Sequence, residues 1–237
     1  MNGLVVLIIK NIEREGPGKI EDMLKRRRAE YEIICPDNDS ILPRPNEYSA
    51  AIVMGGPNSA NDKTNKIIQE IEFARNCVKF GVPYLGICLG MQILCIAHGA
   101  KITKNIVPEI GFSDENKEQY NIMLNRNGEE DLLFSKLPQR IPIFQLHYET
   151  AIMLGEIKLL ASSTQCEAQV IKVGDLAYGF QGHIEITQEV LNRLAEEDLD
   201  LKRIKKEELF ESYNRMRKEY ELCGERIIGN FLNIAGV

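Results

Sequence analysis

The sequence predicts an α/β fold: a three-layer sandwich with a mostly parallel central sheet, followed by a C-terminal helical extension. Three observations support this. Short apolar runs alternate with segments of helical spacing. Two of the apolar runs end in glycine-bearing turns, Gly55-Gly56-Pro57 and Gly86-Ile87-Cys88-Leu89-Gly90, where a parallel sheet keeps its functional loops. From Ala195 onward the chain turns dense in Glu, Lys and Arg. That shift divides the chain into an expected domain over 1–194 and an extension over 195–237 packed on it.

The elements follow in order. Leu4 to Ile9 is apolar and reads as a buried first strand. Ile20 to Arg28 reads as a helix, closed by the basic run Lys25-Arg26-Arg27-Arg28, since cations suit a helix C-terminus. Tyr31 to Cys35 is the second strand, followed by a loop rich in Pro, Asp and Asn. Ala50 to Met54 is the third. Between Thr64 and Phe80, apolar residues at Ile67, Ile71, Ala74, Cys77 and Val78 mark a helix. Val82 to Ile87 is the fourth strand, and Leu89 to His98 a helix stopped by Gly99. Cys35, Gly56 and Cys88 thus fall at strand ends. Strand-like pieces follow at Lys101–Thr103, Gln119–Leu124, Ile143–His147, Leu159–Ala161, Glu167–Val173 and Ala177–Gln181, expected to extend the sheet with mixed or antiparallel strands. A helix begins near Thr187. Ala195 to Leu222 carries Leu209, Tyr213, Met216 and Tyr220 at helical spacing, and Glu225 to Ile234 forms a last helix. The amphipathic face is expected to pack on the domain; a partner or oligomer surface is the alternative.

Composition narrows the function. The chain has 237 residues, 44% of them hydrophobic, enough for a full core. A net charge of -6 argues against general nucleic-acid binding. No secretory signal is seen, and the first apolar run is far too short to span a membrane. Six cysteines (Cys35, Cys77, Cys88, Cys95, Cys166, Cys223) lack paired spacing, which fits reduced thiols in a cytoplasmic protein. With three histidines and no close Cys/His cluster in the sequence, no metal and no cofactor are expected.

The strongest chemical signal is the elbow Gly86-Ile87-Cys88-Leu89-Gly90-Met91-Gln92. A nucleophile on a sharp strand-to-helix turn stands clear of the backbone, and the two glycines let strand and helix cross closely. The new helix directs free N–H groups and a positive dipole end at the sulfur, a setting that suits a thiolate. Cys95, two turns on, reads as core. A thiolate attacking an amide needs a base and a group to orient that base. His183 and Glu185 of Gly182-His183-Ile184-Glu185 answer this, since residues two apart in an extended segment point the same way. The Leu89 N–H follows the nucleophile directly, and the Gly55-Gly56-Pro57 turn can present a backbone N–H, so both are candidate oxyanion donors.

Taken together, these segments resemble the class I glutamine amidotransferase family, with its Gly-Gly-Pro oxyanion strand, G-x-C-x-G-x-Q elbow and G-x-Q-F-H-P-E segment. The last is matched by Gly179 through Glu185. The match covers about four fifths of the chain and looks most like stand-alone GMP-synthase-like amidotransferases, with similar pieces at Glu109-Ile110-Gly111-Phe112 and Phe144 through Thr150. The resemblance implies a flavodoxin-like class I amidotransferase fold. It implies a Cys88–His183–Glu185 triad and an oxyanion hole of the Gly56 and Leu89 N–H groups. Gln92 would hold the substrate's amino-acid end, and Leu146, His147 and Tyr148 would line the glutamine pocket. The implied reaction converts glutamine and water to glutamate and ammonia through a γ-glutamyl thioester. Ammonia would pass to a partner synthetase subunit, because no acceptor-site motif is present in this chain. The alternatives are a γ-glutamyl peptide or amine hydrolase using the same triad, and a catalytically impaired binding relative.

Three departures stand out. Gly182 occupies the family's usual Phe position, removing an aromatic wall and opening the pocket. Ile184 occupies the Pro position and gives up a fixed φ angle. His147-Tyr148-Glu149-Thr150 replaces the usual His-Gly-Asp, which helps couple synthase domains. His147 itself is expected either to shape the pocket or to cap its strand in the core.

Overall fold

The computed structural model describes residues 5–13 and 16–237. Its elements run β1 (Val5–Ile9), α1 (Lys19–Arg27), β2 (Glu30–Ile34), β3 (Ala50–Val53), α2 (Asn65–Phe80), β4 (Tyr84–Ile87) and α3 (Leu89–Ala97). Next come β5 (Lys101–Gly111), β6 (Asn121–Leu124), α4 (Arg126–Glu130), β7 (Arg140–Pro142), β8 (Gln145–Ile152), β9 (Lys158–Ser162), β10 (Val170–Val173) and β11 (Ala177–Phe180). The helices α5 (Gln188–Glu197) and α6 (Lys206–Ile234) close the chain. Leu4, the expected start of the first strand, lies outside the described residues.

Nine strands form one sheet in the order β2-β1-β3-β4-β11-β10-β9-β6-β7. The first five are parallel, and the other pairings are antiparallel. The central strands are buried on both faces, as parallel strands covered by helices must be. Alternate residues divide between the two sides. Val6, Ile8, Ile52, Leu85 and Ile87 pack with α1 and α6 through Ile20, Leu24, Ile227, Ile228 and Phe231. Leu7, Ile9, Ala51, Val53 and Tyr84 pack with α2 and α3 through Ile67, Phe73, Ala74, Leu94 and Cys95. This is the expected three-layer α/β sandwich.

Local signals set the helix ends. Thr64 caps α2, its side chain accepting from the Ile67 N–H. α1 ends in Lys25, Arg26 and Arg27, with Arg28 left-handed at φ 56°.

Two expectations are corrected. Lys101–Thr103 and Ile143–His147 do not extend the central sheet. The first is part of β5, an eleven-residue strand that pairs only with β8 in a separate two-stranded ribbon, with a register shift between Lys104 and Glu109. The Ala177–Gln181 strand joins the central sheet as expected, in parallel beside β4. The two expected C-terminal helices are one, α6, of 29 residues. It runs through Cys223-Gly224 because Gly224 is the contact point with the neighbouring segment. A Cβ there would stand 2.3 Å from the Ile184 carbonyl oxygen, so no side chain fits. Leu209, Tyr213, Met216 and Tyr220 form an apolar cluster with Phe112 and Phe144. Tyr220 and Tyr213 each stack near Phe112, with ring centroids 5.3 Å and 5.2 Å away.

Candidate active site

Cys88 sits between β4 and α3 with φ 52° and ψ -105°, a conformation that L-residues rarely adopt. Two features hold it there. Its N–H donates to the Phe180 carbonyl of β11 at 2.7 Å. The glycines on either side let backbone pack on backbone: a Cβ at Gly90 would stand 2.1 Å from the Val53 oxygen, and one at Gly86 would stand 2.4 Å from the Gly90 carbonyl carbon. The sulfur faces the Leu146 carbonyl at 3.8 Å and Gln181 Nε2 at 3.9 Å. Cys35 is at a strand end as expected but lines a different hollow, beside Ile34 and Pro36.

His183 comes to the same place through β11. The parallel β4–β11 pairing sets Phe180 opposite Ile87, so the chain leaving β11 runs beside the elbow. A side chain at Gly55 would meet both partners, reaching 3.4 Å from Cys88 Cβ and 3.7 Å from His183 Nε2. On its other side, His183 Nδ1 bonds Glu185 Oε1 at 2.7 Å, and both side chains are buried. Burial opposes charge on the ring. The Glu185 charge and the neighbouring Cys88 outweigh it and hold the His183 pKa well above the usual histidine value.

The His183 segment is fixed from several sides. Its N–H donates to Phe144 O at 2.7 Å, and the Lys19 N–H donates to Glu185 O at 2.9 Å. Tyr220 of α6 donates its hydroxyl to His183 O at 3.1 Å and accepts the Ile186 N–H at 3.0 Å. Helical spacing alone assigns Tyr220 only to the apolar stripe. Tyr220→Phe should cost about 1–3 kcal/mol, because the buried Ile186 N–H loses its hydrogen-bond partner. Urea unfolding checks this; an unchanged midpoint would show that the hydroxyl carries no such load.

The departures at 182 and 184 take on different meanings here. Gly182 does not open the pocket. It is buried, and a Cβ there would lie 2.5 Å from Gln145 Oε1 and 2.7 Å from Ile143, which fill the space an aromatic ring would need. Ile184 gives up a proline's fixed φ but supplies an N–H, which donates to Glu185 Oε2 at 2.9 Å. The carboxylate is thereby held at both oxygens.

A cavity of about 660 Å³ opens in front of Cys88. Of the site residues expected from sequence, Gly56, Cys88, Leu89, Gln92, Leu146, His147, Tyr148 and His183 line it, while Glu185 stands behind His183. Asn58, Ser59, Lys104, Asp198 and Asp200 also line it and carry no sequence signal of their own. Gln92 donates to Glu149 O at 3.3 Å and to Gln181 Oε1 at 3.2 Å. His147 sits between cavity and core. It borders the cavity, and its ring nitrogens are taken by Glu149 O and Glu109 Oε2, each at 3.0 Å.

Folding also gathers a cluster that linear spacing conceals. Glu109, His147 and Cys166, all buried, bring their polar atoms within 4.8 Å of one another. These atoms bond mainly to neighbours: Glu109 Oε2 also accepts from Gln169 at 2.9 Å, and Cys166 meets Thr150 Oγ1 at 3.1 Å. Among the described residues, no helix is long and apolar enough to cross a membrane, and all six cysteines are free.

The sequence model of the family described as glutamine amidotransferase class-I matches residues 18–198. The chain belongs to that family. A solved glutamine amidotransferase from Thermotoga maritima superposes with a TM-score of 0.84 at 26% identity, covering 98% of this chain and 99% of that one. A separate subunit of the glutamine-hydrolyzing GMP synthase of Pyrococcus abyssi is 31% identical over 58% of this chain and 66% of its own length. Gamma-glutamyl peptidase 3 of Arabidopsis thaliana is 26% identical over 73% of this chain and 67% of its own length. The chain spans less than two thirds of the first curated relatives it matches, 64% and 66%. The solved Thermotoga maritima protein shares this chain's α/β architecture over almost its whole length.

Proposed function

We propose that this amidotransferase hydrolyses the side-chain amide of glutamine through a γ-glutamyl thioester on Cys88, releasing ammonia for an acceptor on another chain. The Cys88 thiol gives its proton to His183, and the resulting thiolate attacks the amide carbon. The resulting oxyanion accepts hydrogen bonds from the Gly56 and Leu89 N–H groups. His183 returns the proton to the departing nitrogen, the C–N bond breaks, and ammonia leaves. A water then gives its proton to His183 and attacks the thioester. The C–S bond breaks, glutamate leaves, and Cys88 regains a proton. Glu185 holds the His183 ring and stabilises its charged form. Gln92, Leu146, His147 and Tyr148 border the substrate.

The observation that carries this reading is the conformation of Cys88. A residue held at φ 52° at the mouth of a cavity, beside a histidine bound to a carboxylate at 2.7 Å, is the layout of an activated nucleophile. A relative named as one subunit of a GMP synthase supports an acceptor on a second polypeptide. Diazo-oxo-norleucine, a glutamine-like electrophile, should add once per chain and on Cys88 alone. Intact-mass and peptide analysis that finds no adduct, or an adduct on another cysteine, would sink the assignment.

A second reading keeps the machinery and changes the leaving group to the amine of a γ-glutamyl peptide or γ-glutamyl amine. The 660 Å³ cavity favours it, since this lies within the roughly 300–1,000 Å³ that takes drug-sized ligands and leaves room beyond one glutamine. The relative named as a γ-glutamyl peptidase is in line with it. Hydrolysis of glutamine and of γ-glutamyl peptides, followed by release of ammonia and free amine, separates the two. Rapid peptide cleavage with negligible glutamine turnover selects the second.

A further inference from the structure

Beneath the Gly55-Gly56 turn lies a buried polar pair that the chemistry above does not use. Asn11, just after β1, is 5% exposed, and Glu70, on the inner face of α2, is 1% exposed. Asn11 Nδ2 donates to the Met54 carbonyl at 3.1 Å and to Glu70 Oε2 at 3.2 Å. Asn11 is packed directly under Gly56, where an added Cβ would come within 2.4 Å of Asn11 Cβ. Lys66 Nζ holds the Asn11 carbonyl at 2.9 Å.

Among the described residues, Asn11 Oδ1 and Glu70 Oε1 are both buried and both lack a hydrogen-bond partner. Buried polar atoms are seldom left so, and leaving one unpaired costs about 1–3 kcal/mol. An ionised Glu70 offers acceptors only, so neither orphan can satisfy the other. A protonated Glu70 carries one O–H donor, and its own partner carries the acceptor that lacks one.

We propose that Glu70 and Asn11 form a carboxylic acid–amide pair that fixes the Met54–Gly55 peptide and so aims the Gly56 N–H into the cavity. Glu70 is a positioning residue: it does not line the cavity, and it acts through Asn11 on the turn above. The pair's catalytic effect rests on the reading of Cys88 as nucleophile and Gly56 as oxyanion donor. Burial raises the Glu70 carboxyl to about 7, against smaller opposing pulls from the Asn11 hydrogen bond and the Lys66 charge. The other titratable group near it is Tyr84 of β4, whose hydroxyl donates to Gly90 O at 2.8 Å and which has Cys77 of α2 and Cys95 of α3 beside it. Burial raises the pKa of all three, keeping them neutral.

The sign of the pH effect follows. Because the folded pKa lies above the unfolded one, ionising Glu70 opposes folding. The penalty is absent below the ordinary carboxylate range of about 4.3, grows as pH rises, and is fully present above about 7.

Glu70→Gln supplies an N–H in place of the acid O–H and keeps the accepting oxygen, so it mimics the protonated form at every pH. In the full-length chain it should retain the wild-type kcat. Glu70→Ala should lose roughly tenfold or more in kcat with little change in KM, as expected when a transition-state donor is misaimed. The wild-type urea midpoint should fall relative to that of Glu70→Gln as pH rises from about 4 to about 7. The pair is refuted if Glu70→Gln loses as much kcat as Glu70→Ala, or if wild type and Glu70→Gln show parallel stability profiles. Retained hydrolysis in Cys88→Ala would instead remove the reading beneath the catalytic role, and the stability profiles would still decide the pair.

Discussion

Cys88→Ala should reduce γ-glutamyl hydrolysis by on the order of 10⁴-fold or more, to background, and should leave the fold intact. The methyl group keeps the packing and loses the sulfur. Alanine at this position inherits the backbone strain, so unfolding in urea should change little. Cys88→Gly differs in a useful way. It is equally inactive, yet it releases the cost of holding φ at 52°, and stability should rise by about 1–3 kcal/mol less glycine's entropic penalty of about 0.5–1 kcal/mol. An inactive variant more stable than the parent would show that the elbow is strained for the sake of the thiol. Residual turnover in both variants would remove Cys88 from the chemistry.

Gly90→Ala carries the largest expected loss of stability. The added Cβ would meet the Val53 carbonyl oxygen at 2.1 Å, and Val53 lies in the middle of the sheet. No rotamer change relieves a clash between Cβ and backbone, so α3 must slide off β3 or the elbow must unwind. A cost of about 3 kcal/mol or more is expected, at or beyond the upper end for overpacked cores. Labelling of Cys88 should fall along with it, because the same turn presents the sulfur. A variant with wild-type stability would mean that strand and helix approach less closely than described.

The sequence carried the first half of the sheet almost residue by residue. Strands β1, β3 and β4 are short and fully or nearly fully buried, and α2 between β3 and β4 carries its Thr64 cap, so local pattern and global fold agree. Cys88, with glycines two positions to either side, and His183, two residues before Glu185, were legible because the spacing itself encodes geometry. What was hidden depends on long-range pairing. Nothing near Ala177 announces that this strand lies beside β4 rather than at an edge, although that pairing delivers His183 to Cys88. Lys101–Gly111 shows no strict alternation, since its ribbon with β8 stands apart from the main sheet. Gly224 has the local signature of a helix break, yet its missing side chain serves a contact some forty residues away in sequence, at Ile184. Tyr220 looks like one more apolar contact because a sequence cannot show which hydroxyl finds a partner.

That hydroxyl bears on how the protein can be reused. The family's sequence model stops at residue 198, whereas Tyr220 lies well beyond it, donating to the His183 carbonyl and accepting the Ile186 N–H. A graft cut at the end of that match would carry Cys88, His183 and Glu185, yet leave the Ile186 N–H beside them without its partner and an aromatic cluster bared to water. For transplantation into a chimera, the portable unit is therefore set by the reach of one phenol on α6.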